Sequence, residues 1–327
     1  MNWKKTGVLI TGGTGSFGKA FARELLRRHR PRVVRIFSRD ELKQHQMQEE
    51  GISGPTLRYF IGDIRDRDRL SMAVRGVDLI VHAAALKQVP ACEYNPFEAV
   101  KTNILGTENV LSAALEHGVE RVLTLSTDKA VNPVNLYGAT KLCAERITVE
   151  ANSYAGGRDI RFSCVRYGNV LASRGSVVQA FERQRERGEV AVTDMRMTRF
   201  WIGLEQAVAF VASCVESMPW GEVFVPKSPS MRIADLARLV APGCRIREIG
   251  IRPGEKIHEI LVTRDESRHA RDLGRSFVIE PEFHWWGTKG RARGKALPDG
   301  FEYRSDTNRE WLKPADLVRL LKRGPGR

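Results

Sequence analysis

Two pairs of ionisable side chains lie close together in the middle of the chain and could carry out redox and acid–base chemistry. Tyr137 and Lys141 are four residues apart, so they share one face if the segment is helical. Unperturbed tyrosine has a pKa of about 10, and a nearby lysine ammonium, together with a cationic redox cofactor, would favour the phenolate. A phenolate can accept the proton of a hydroxyl group while hydride leaves the same carbon. This pair therefore predicts the oxidation of an alcohol.

The second pair, Asp128 and Lys129, follows a run of apolar residues and is preceded by Thr127. A lysine that acts as a base must be neutral, and an aspartate that acts as an acid must be protonated. Burial shifts the pKa of each group in the required direction, because it disfavours both charged forms. A close ion pair between the two neighbours would oppose both shifts. We expect an acid and a base here, with Thr127 beside them.

A glycine-rich turn near the N-terminus is typical of a dinucleotide site. The apolar run 8–11 predicts a buried strand, and a helical apolar pattern follows the turn. Gly12 permits the tight turn, Gly15 lets the backbone approach a pyrophosphate, and Gly18 lets helix and strand pack closely. The pyrophosphate would lie at the helix N-terminus, where unpaired N–H groups point outward. The predicted cofactor contacts in this turn are Gly12, Thr14, Gly15, Ser16, Phe17 and Gly18.

The end of the second predicted strand, 33–37, should meet the adenosine ribose of the cofactor. An acidic residue at this point binds a 2′-hydroxyl, whereas an arginine accommodates a 2′-phosphate. The residues here are Ser38, Arg39, Asp40 and Lys43, of which Asp40 is also a suitable N-cap for the next helix. Because Arg39 comes first and Lys43 lies one helical turn beyond it, we predict NADP rather than NAD.

Further cofactor contacts are expected where later strands end, because ligands of open parallel sheets bind beyond the carboxyl ends of the strands. An acidic residue after the third strand is placed to meet the adenine. Small residues after the fourth strand let the cofactor lie against the backbone, and an asparagine in the following helix is expected to brace the site. The residues assigned on these grounds, with the tyrosine and lysine pair, are Asp63, Ile64, Ala83, Ala84, Lys87, Asn103, Tyr137 and Lys141.

Strands and helices alternate over the first half of the chain, which predicts an α/β fold with a doubly wound parallel sheet of Rossmann type. The alternation loosens after residue 169. We therefore predict a cofactor-binding domain at 1–169 and a smaller substrate-binding domain at 170–327, interleaved with the first.

Several polar residues are predicted to bind the substrate. A guanidinium forks onto phosphate oxygens, so Arg199 and Arg252 are assigned to a diphosphate. Asn169 and Glu255 are assigned to a base and ribose. Lys87 and Thr127, which face the same cleft, complete the set.

The composition argues against several other classes of protein. The net charge is +14, but arginines are spread along the chain without a long basic block, so no nucleic-acid partner is predicted. No apolar run approaches the about 18 residues that a membrane span needs. The five cysteines are scattered without a paired spacing, which indicates reduced thiols and no metal site. We expect a cytoplasmic protein.

Together the motifs resemble the extended short-chain dehydrogenase/reductase superfamily. Within it they look like the short, soluble UDP-N-acetylglucosamine 4,6-dehydratases that invert C5, which make the first intermediate of pseudaminic acid biosynthesis. The resemblance implies tightly held NADP, the substrate UDP-N-acetylglucosamine and a cytoplasmic homo-oligomer, either dimer or hexamer. Longer, membrane-anchored relatives retain the C5 configuration and look to carry methionine where Tyr137 stands, so Tyr137 favours inversion. The segments that carry the resemblance are 38–44, 84–87, 126–130, 137–141, 197–201 and 252–256.

The resemblance also implies a reaction order and a role for each residue. Oxidation of C4 to a ketone makes the C5 proton acidic, the 6-hydroxyl leaves as water, and hydride returns to C6. Tyr137 would start the oxidation, while Lys141 would hold the nicotinamide ribose and lower the tyrosine pKa. Lys129 would remove the C5 proton and Asp128 would protonate the departing hydroxyl. The expected product is a UDP-4-keto-6-deoxy-HexNAc sugar inverted at C5.

Two other functions stay open on the residues alone. A nucleotide-sugar 4-epimerase on the same fold needs the tyrosine and lysine but no acid–base pair for C5 and C6, so Asp128 and Lys129 argue against it. A non-catalytic NADP-binding protein would not need an intact Tyr137 and Lys141 pair. The residues do not identify the group that reprotonates C5.

Overall fold

The architecture comes from a computed structural model that describes residues 1–171, 176–283, 285–286 and 293–322. The strands of this part of the chain are β1 Gly7–Thr11, β2 Val33–Ser38, β3 Leu57–Ile61, β4 Leu79–His82, β5 Arg121–Thr127, β6 Arg161–Tyr167, β7 Asn169–Val170, β8 Glu189–Val192, β9 Thr198–Ile202, β10 Val223–Pro226, β11 Ser230–Arg232, β12 Arg245–Glu248, β13 Ile260–Val262, β14 Ala270–Asp272, β15 Ser276–Ile279, β16 Lys295–Ala296 and β17 Tyr303–Arg304.

Ten of these strands form one central sheet, in the order β16-β14-β15-β10-β6-β5-β4-β1-β2-β3. Neighbouring strands from β10 to β3 are parallel. The remaining three strands extend the sheet in antiparallel fashion. The order β3-β2-β1-β4-β5-β6 is that of the doubly wound dinucleotide-binding sheet. The predicted α/β fold of Rossmann type is therefore confirmed.

Helices cover the sheet and connect its strands. The α-helices are α1 Ser16–Glu24, α2 Glu41–Glu49, α3 Arg67–Val74, α4 Val89–Tyr94, α5 Pro96–Val100, α6 Gly106–His117, α7 Leu136–Glu150, α8 Val177–Arg185, α9 Leu204–Ser217, α10 Ile233–Val240 and α11 Pro314–Lys322. Single π-helical turns follow α1 and α5, at Leu25–His29 and Lys101–Leu105. In the segments described, no helix combines the length and apolar character needed to cross a bilayer.

The inner strands β1 and β4 are buried along their whole length, in keeping with their short continuous apolar runs. In β1, Val8 and Ile10 belong to an apolar cluster with α1 and α9. Leu9, between them, belongs to a second cluster with α3 and α6 on the opposite face. These two apolar clusters, one on each face of the sheet, hold the strand ends in place. The loops that follow the parallel strands therefore open onto one edge of the sheet.

The chain after β6 alternates between the central sheet and a second group of elements. That group contains three small sheets, β11-β9-β7, β12-β8 and β13-β17, in addition to α8 and α10. Val178 and Phe181 of α8 pack there against Leu236 and Ala237 of α10. Between these segments α9 packs on α1, and β10 pairs with β6. The second group therefore lies against the edge at which β5 and β6 end.

Candidate active site

A cleft of about 620 Å³ opens at the carboxyl ends of the parallel strands. Most of the residues predicted for the site line this cleft. They are Gly12, Thr14, Gly15, Ser16, Phe17, Gly18, Ser38, Arg39, Asp40, Lys43, Asp63, Ile64, Ala83, Ala84, Lys87, Thr127, Lys129, Tyr137, Lys141 and Asn169. Five predicted residues are not among its lining residues, namely Asn103, Asp128, Arg199, Arg252 and Glu255.

The glycine-rich turn has the shape that a dinucleotide needs. Gly12 has φ of +64°, and a Cβ on it would lie 2.8 Å from the backbone of Ala84. A Cβ on Gly18 would lie 2.5 Å from Gly13, so α1 packs on the turn at a distance that only glycine allows. Gly15 is the N-cap of α1 and provides no side-chain cap, which leaves the N–H groups of the first turn directed at the cleft. These residues fit the pyrophosphate of a dinucleotide.

The ribose end of the cleft carries both basic and acidic side chains. Asp40 caps α2 by accepting the Lys43 backbone N–H at 3.0 Å, and its other oxygen lies 2.6 Å from Lys43 Nζ. Arg39 Nη1 lies 3.5 Å from Asp63 Oδ2. Asp40 thus serves as the N-cap and as a wall of the cleft at the same time.

The turn after β5, Asp128–Ala130, places the predicted acid and base in contact. Asp128 is fully buried, and its Oδ1 accepts hydrogen bonds from Thr127 Oγ1 at 2.9 Å and from Lys129 Nζ at 3.0 Å. Its Oδ2 is buried without a hydrogen-bond partner among the described residues. Lys129 Nζ also lies 3.4 Å from Asn169 Oδ1 and 3.8 Å from Glu259 Oε1. The two residues therefore form an ion pair in which Lys129 lines the cleft and Asp128 does not.

The ionisation of Lys129 differs from the expectation. Burial does lower its pKa, but the carboxylates of Asp128 and Glu259 outweigh burial and raise the pKa above its ordinary value, while Arg199 opposes them. The expected net lowering of this pKa is therefore wrong for the resting site. The cause is the neighbouring carboxylate of Asp128, to which Glu259 from a distant part of the chain adds a second negative charge.

Tyr137 and Lys141 lie in the first turns of α7, as their spacing predicts. Burial raises the pKa of Tyr137 to about 12, and the charge of Lys129 and a hydrogen bond between Tyr137 and Thr127 oppose the rise in part. Lys141 Nζ donates to the Leu125 carbonyl at 2.6 Å, and burial lowers its pKa to about 8. In the resting site Lys129, rather than Lys141, is the cation that favours the phenolate.

Asn103 braces the site instead of lining it. Its Oδ1 accepts the Leu86 N–H at 2.8 Å, and its Nδ2 donates to the Leu86 carbonyl at 2.9 Å and to Thr140 Oγ1 at 3.0 Å. Asn103 thereby ties the loop after β4 to α7. Its predicted bracing role matches these bonds.

The predicted phosphate arginines have different surroundings. Arg199, on β9, is 6% exposed and donates to the carbonyls of Thr198, Lys256 and Ile257. Its N–H groups are thus directed at the segment 256–257 instead of the cleft. Arg252 is exposed, and its carbonyl accepts the Glu255 N–H at 3.1 Å. One carboxylate oxygen of Glu255, Oε2, is buried without a hydrogen-bond partner in the described part of the chain.

Two residues that the sequence reasoning did not assign also belong to this region. Trp201 lines the cleft, and its indole Nε1 is buried without a hydrogen-bond partner among the described residues. Glu259 contacts Lys129 from outside the cleft. Trp201 lies at the end of a segment that carried the family resemblance, so it could have been assigned. Glu259 lies 130 residues from Lys129, and no spacing points to it. The described residues contain no group of three or more His, Cys, Asp or Glu side chains arranged to hold a metal.

Gly138 lets α7 approach the catalytic turn, which makes it a sensitive position. A Cβ on Gly138 would lie 2.2 Å from the Lys129 carbonyl oxygen and 3.1 Å from Pro133 Cβ. We expect Gly138→Ala to displace the turn, with a loss of about 1–3 kcal/mol in the free energy of unfolding and a large loss of turnover. Urea unfolding and turnover assays measure the two effects. Ala139→Gly, on the same helix, should cost about 1 kcal/mol through helix propensity alone and spare turnover; equal losses of turnover in both variants would contradict the steric account.

Comparisons with known proteins agree with this geometry. Residues 8–281 match the family described as "Polysaccharide biosynthesis protein". A UDP-N-acetylglucosamine 4,6-dehydratase (inverting) of Campylobacter jejuni is 47% identical over 333 residues, covering 99% of this chain and 99% of the relative. A UDP-glucose 4-epimerase of Rickettsia akari is 44% identical over 280 residues, covering 83% of this chain and 82% of the relative.

A solved structure supports the same conclusion. Pen from Bacillus thuringiensis is similar to this chain with a TM-score of 0.90 and 39% sequence identity, over 98% of both chains. The family resemblance that the motifs indicated is thereby confirmed. The chain belongs to the polysaccharide biosynthesis protein family, and to the same family as the inverting UDP-N-acetylglucosamine 4,6-dehydratases.

Proposed function

We propose that the protein is an NADP-dependent lyase that removes water from UDP-N-acetylglucosamine, inverts C5 and releases a UDP-4-keto-6-deoxy-HexNAc sugar. The observation that carries the proposal is the hydrogen-bonded pair Asp128 and Lys129 beside Tyr137 at the cleft. The Campylobacter jejuni relative, whose name states this activity, supports the proposal because it is similar to this protein over nearly the whole chain. An alcohol oxidation alone would need only the tyrosine and lysine of α7.

The chemistry requires a base and an acid in addition to the redox pair. The C5 proton of the sugar is not acidic until C4 is a ketone, because only then does the carbanion become an enolate. The 6-hydroxyl is then β to the carbonyl and leaves as water if it is protonated. The glycine-rich turn and the residues at the ribose end of the cleft would hold a nicotinamide cofactor, which would supply the hydride acceptor for the oxidation at C4 and the hydride donor for the reduction at C6.

Each side chain of the site has one proton to move or one group to hold. Tyr137 takes the proton of the 4-hydroxyl, Lys129 takes the C5 proton, and Asp128 gives a proton to the departing hydroxyl. Thr127 donates to Asp128 Oδ1 at 2.9 Å, and so orients the carboxyl group. Lys141 is assigned to the nicotinamide ribose.

The ion pair of the resting site does not prevent these roles. The state needed for elimination, a neutral Lys129 and a protonated Asp128, differs from the ion pair by one proton moved along the 3.0 Å hydrogen bond. That transfer leaves the net charge of the pair unchanged, and exclusion of water by a bound substrate favours the neutral form. Elimination itself restores the ion pair, since Lys129 has then gained the C5 proton and Asp128 has lost its proton to the departing hydroxyl.

The preference for NADP is proposed from Arg39 and Lys43, which line the ribose end of the cleft. A 2′-phosphate would attract both cations away from their present carboxylates. We expect Arg39→Ala to weaken NADP binding about 10- to 100-fold, since a hydrogen bond to a charged group contributes about 1.5–3 kcal/mol. NAD binding should change little, which calorimetry on cofactor-free protein can measure. An equal loss for both cofactors would argue against a phosphate contact.

We also propose a location for the substrate-binding domain, an assembly state, a compartment and a pathway. Residues 170–327 are proposed as the UDP-sugar domain, interleaved with the cofactor domain, and Lys87, Thr127 and Asn169 are proposed to contact the substrate at the cleft. Arg252 and Glu255 are assigned to the nucleotide. Arg199, assigned with them, would have to release the carbonyls of 256–257 to reach it. We also propose a cytoplasmic homo-oligomer, dimer or hexamer, that serves pseudaminic acid biosynthesis. The support for these points is the family resemblance. Light scattering on the purified protein tests the assembly, and a monomer would contradict it.

A second candidate is a nucleotide-sugar 4-epimerase, which the name of the Rickettsia akari relative favours. The product mass separates the two. Purified protein incubated with UDP-N-acetylglucosamine and no added cofactor should release a product lighter by one water. A product of unchanged mass would indicate epimerisation, and no product even with added NADP would leave a cofactor-binding protein without this activity.

A further inference from the structure

Glu259 is a buried carboxylate next to the catalytic turn, on the segment that leads into β13. Its side chain is 3% exposed. Its backbone is fixed on both sides, because its N–H donates to Ser305 Oγ at 2.9 Å and its carbonyl accepts the Ser305 N–H at 2.9 Å. The carboxylate therefore has a defined position although no hydrogen bond to its Oε2 is formed among the described residues.

Three cations surround this carboxylate. Lys129 Nζ lies 3.8 Å and Arg199 Nε 3.6 Å from Oε1, and Lys256 Nζ lies 3.5 Å from Oε2. Burying a carboxylate without such partners is costly. Two of the three cations are themselves anchored, since Arg199 donates to three carbonyls and Lys256 Nζ donates to the Val131 carbonyl. Arg199 and Lys256 still face Glu259 when Lys129 loses its proton, so the carboxylate keeps two cationic partners.

The segment that carries Glu259 is also attached to the catalytic region. Asn135, the N-cap of α7, donates its amide to the Gly254 carbonyl at 2.8 Å. Lys256 bonds Val131, which directly follows the catalytic turn. The loop 252–256 thus touches both ends of the segment that joins the turn to α7, and Glu259 completes the attachment at Lys129.

We propose that Glu259 is a positioning residue for Lys129: its fixed carboxylate holds the amine at the wall of the cleft and sets the charge that the amine carries before substrate binds. The proposal rests on the proposed function, because it gives the amine its role as base. The other charged or titratable groups that face Lys129 are Asp128, Arg199, Lys87 and Tyr137. Of these, Asp128 and, when ionised, Tyr137 share with Glu259 the ability to favour the ammonium.

The variant Glu259→Gln tests the proposal, because it keeps the size of the side chain and removes its charge. The proposed elimination needs the single proton that Asp128 and Lys129 share, so kcat/KM should fall at high pH as Lys129 loses this proton. Removal of a negative charge 3.8 Å away should move this falling limb to lower pH by about one unit. Lys256→Gln removes a cation that faces Glu259 and should move the limb to higher pH. The KM for the sugar nucleotide should stay within about twofold in Glu259→Gln, since the carboxylate lies outside the cleft.

A second readout needs no turnover. Competitive acetylation of Lys129 by acetic anhydride across pH, read by mass spectrometry on the purified protein, gives the midpoint at which the amine becomes reactive. The midpoint should fall in Glu259→Gln and rise in Lys256→Gln. Glu266→Gln is the matched control, because Glu266 is a buried carboxylate of the same region that pairs with Arg166. It should lower stability without moving either midpoint.

The outcomes separate this proposal from the function on which it rests. If the wild type does not dehydrate the substrate, the proposed dehydratase activity is wrong. The acetylation midpoints alone then show whether Glu259 acts on Lys129. If the wild type dehydrates and neither midpoint moves in the folded variants, Glu259 does not act on Lys129 and the proposal is overturned. Should Glu259→Gln fail to fold, the opposite shift expected in Lys256→Gln decides, and its absence overturns the proposal.

Discussion

Replacement of Lys129 by alanine is expected to lower the rate of dehydration by a factor of about 10²–10⁴, the usual contribution of a positioned acid–base group. The reason is that no other amine within the described residues lies against Asp128 in this position. Cofactor binding should be retained, because the dinucleotide contacts lie in the glycine-rich turn and at the ribose end of the cleft. Product mass over time and the content of bound cofactor measure the two properties.

Exchange at C5 makes the test of Lys129 sharper. In deuterated water the wild type should incorporate deuterium at C5 of the product, whereas Lys129→Ala should leave C5 of the recovered sugar unlabelled. Lys227→Ala is a suitable control, because this half-buried lysine pairs with Asp272 away from the cleft. Dehydration at a wild-type rate in Lys129→Ala would show that another group is the base.

The second large effect is expected on stability, from Arg166 at the end of β6. This side chain is 2% exposed and bridges two carboxylates, Glu145 on α7 and Glu266 beyond β13. It also donates to the Leu261 carbonyl at 2.9 Å. Arg166→Ala leaves two buried carboxylates without their common partner, and we expect it to cost about 3–5 kcal/mol in the free energy of unfolding. Urea unfolding measures the loss.

An exposed ion pair provides the comparison. Arg238 lies 2.6 Å from Asp235, but both side chains are largely exposed, so Arg238→Ala should change the free energy of unfolding by no more than about 1 kcal/mol. A loss below about 1 kcal/mol in Arg166→Ala as well would mean that the buried triad contributes no more than a surface pair. Because Glu145 is one turn beyond Lys141 on α7, a large loss would also show that the helix is fixed from the second group of elements.

The parts of the site that could be predicted are those whose signal is local in the chain. The dinucleotide site is recognisable from seven consecutive residues, 12–18, because the strand, the tight turn and the helix N-terminus follow one another directly in sequence. The spacing of Tyr137 and Lys141 places them on one face of a helix that begins at Leu136. The alternation of strands and helices likewise predicted the parallel sheet, and the fold and the family are confirmed.

The parts that could not be predicted depend on contacts between distant segments. Arg199 was assigned to phosphate because of its guanidinium; in the fold the Thr198 N–H donates to the Ile257 carbonyl, which places the guanidinium against the carbonyls of 256–257, and no spacing reveals this contact. The pKa of Lys129 was expected to fall on burial, and the sign is reversed by Asp128 and by Glu259, which lies far along the chain. A charge balance is a property of the folded site, so its sign needs the positions of all the partners.

The configuration of the product at C5 tests the central claim most directly. The purified protein is incubated with UDP-N-acetylglucosamine without added cofactor, and the product is analysed by NMR before any later enzyme can act on it. The account predicts a 4-keto-6-deoxy sugar, lighter by one water, with C5 inverted. A dehydrated sugar with C5 retained would contradict the inverting assignment, and an undehydrated sugar changed only at C4 would contradict the dehydratase itself.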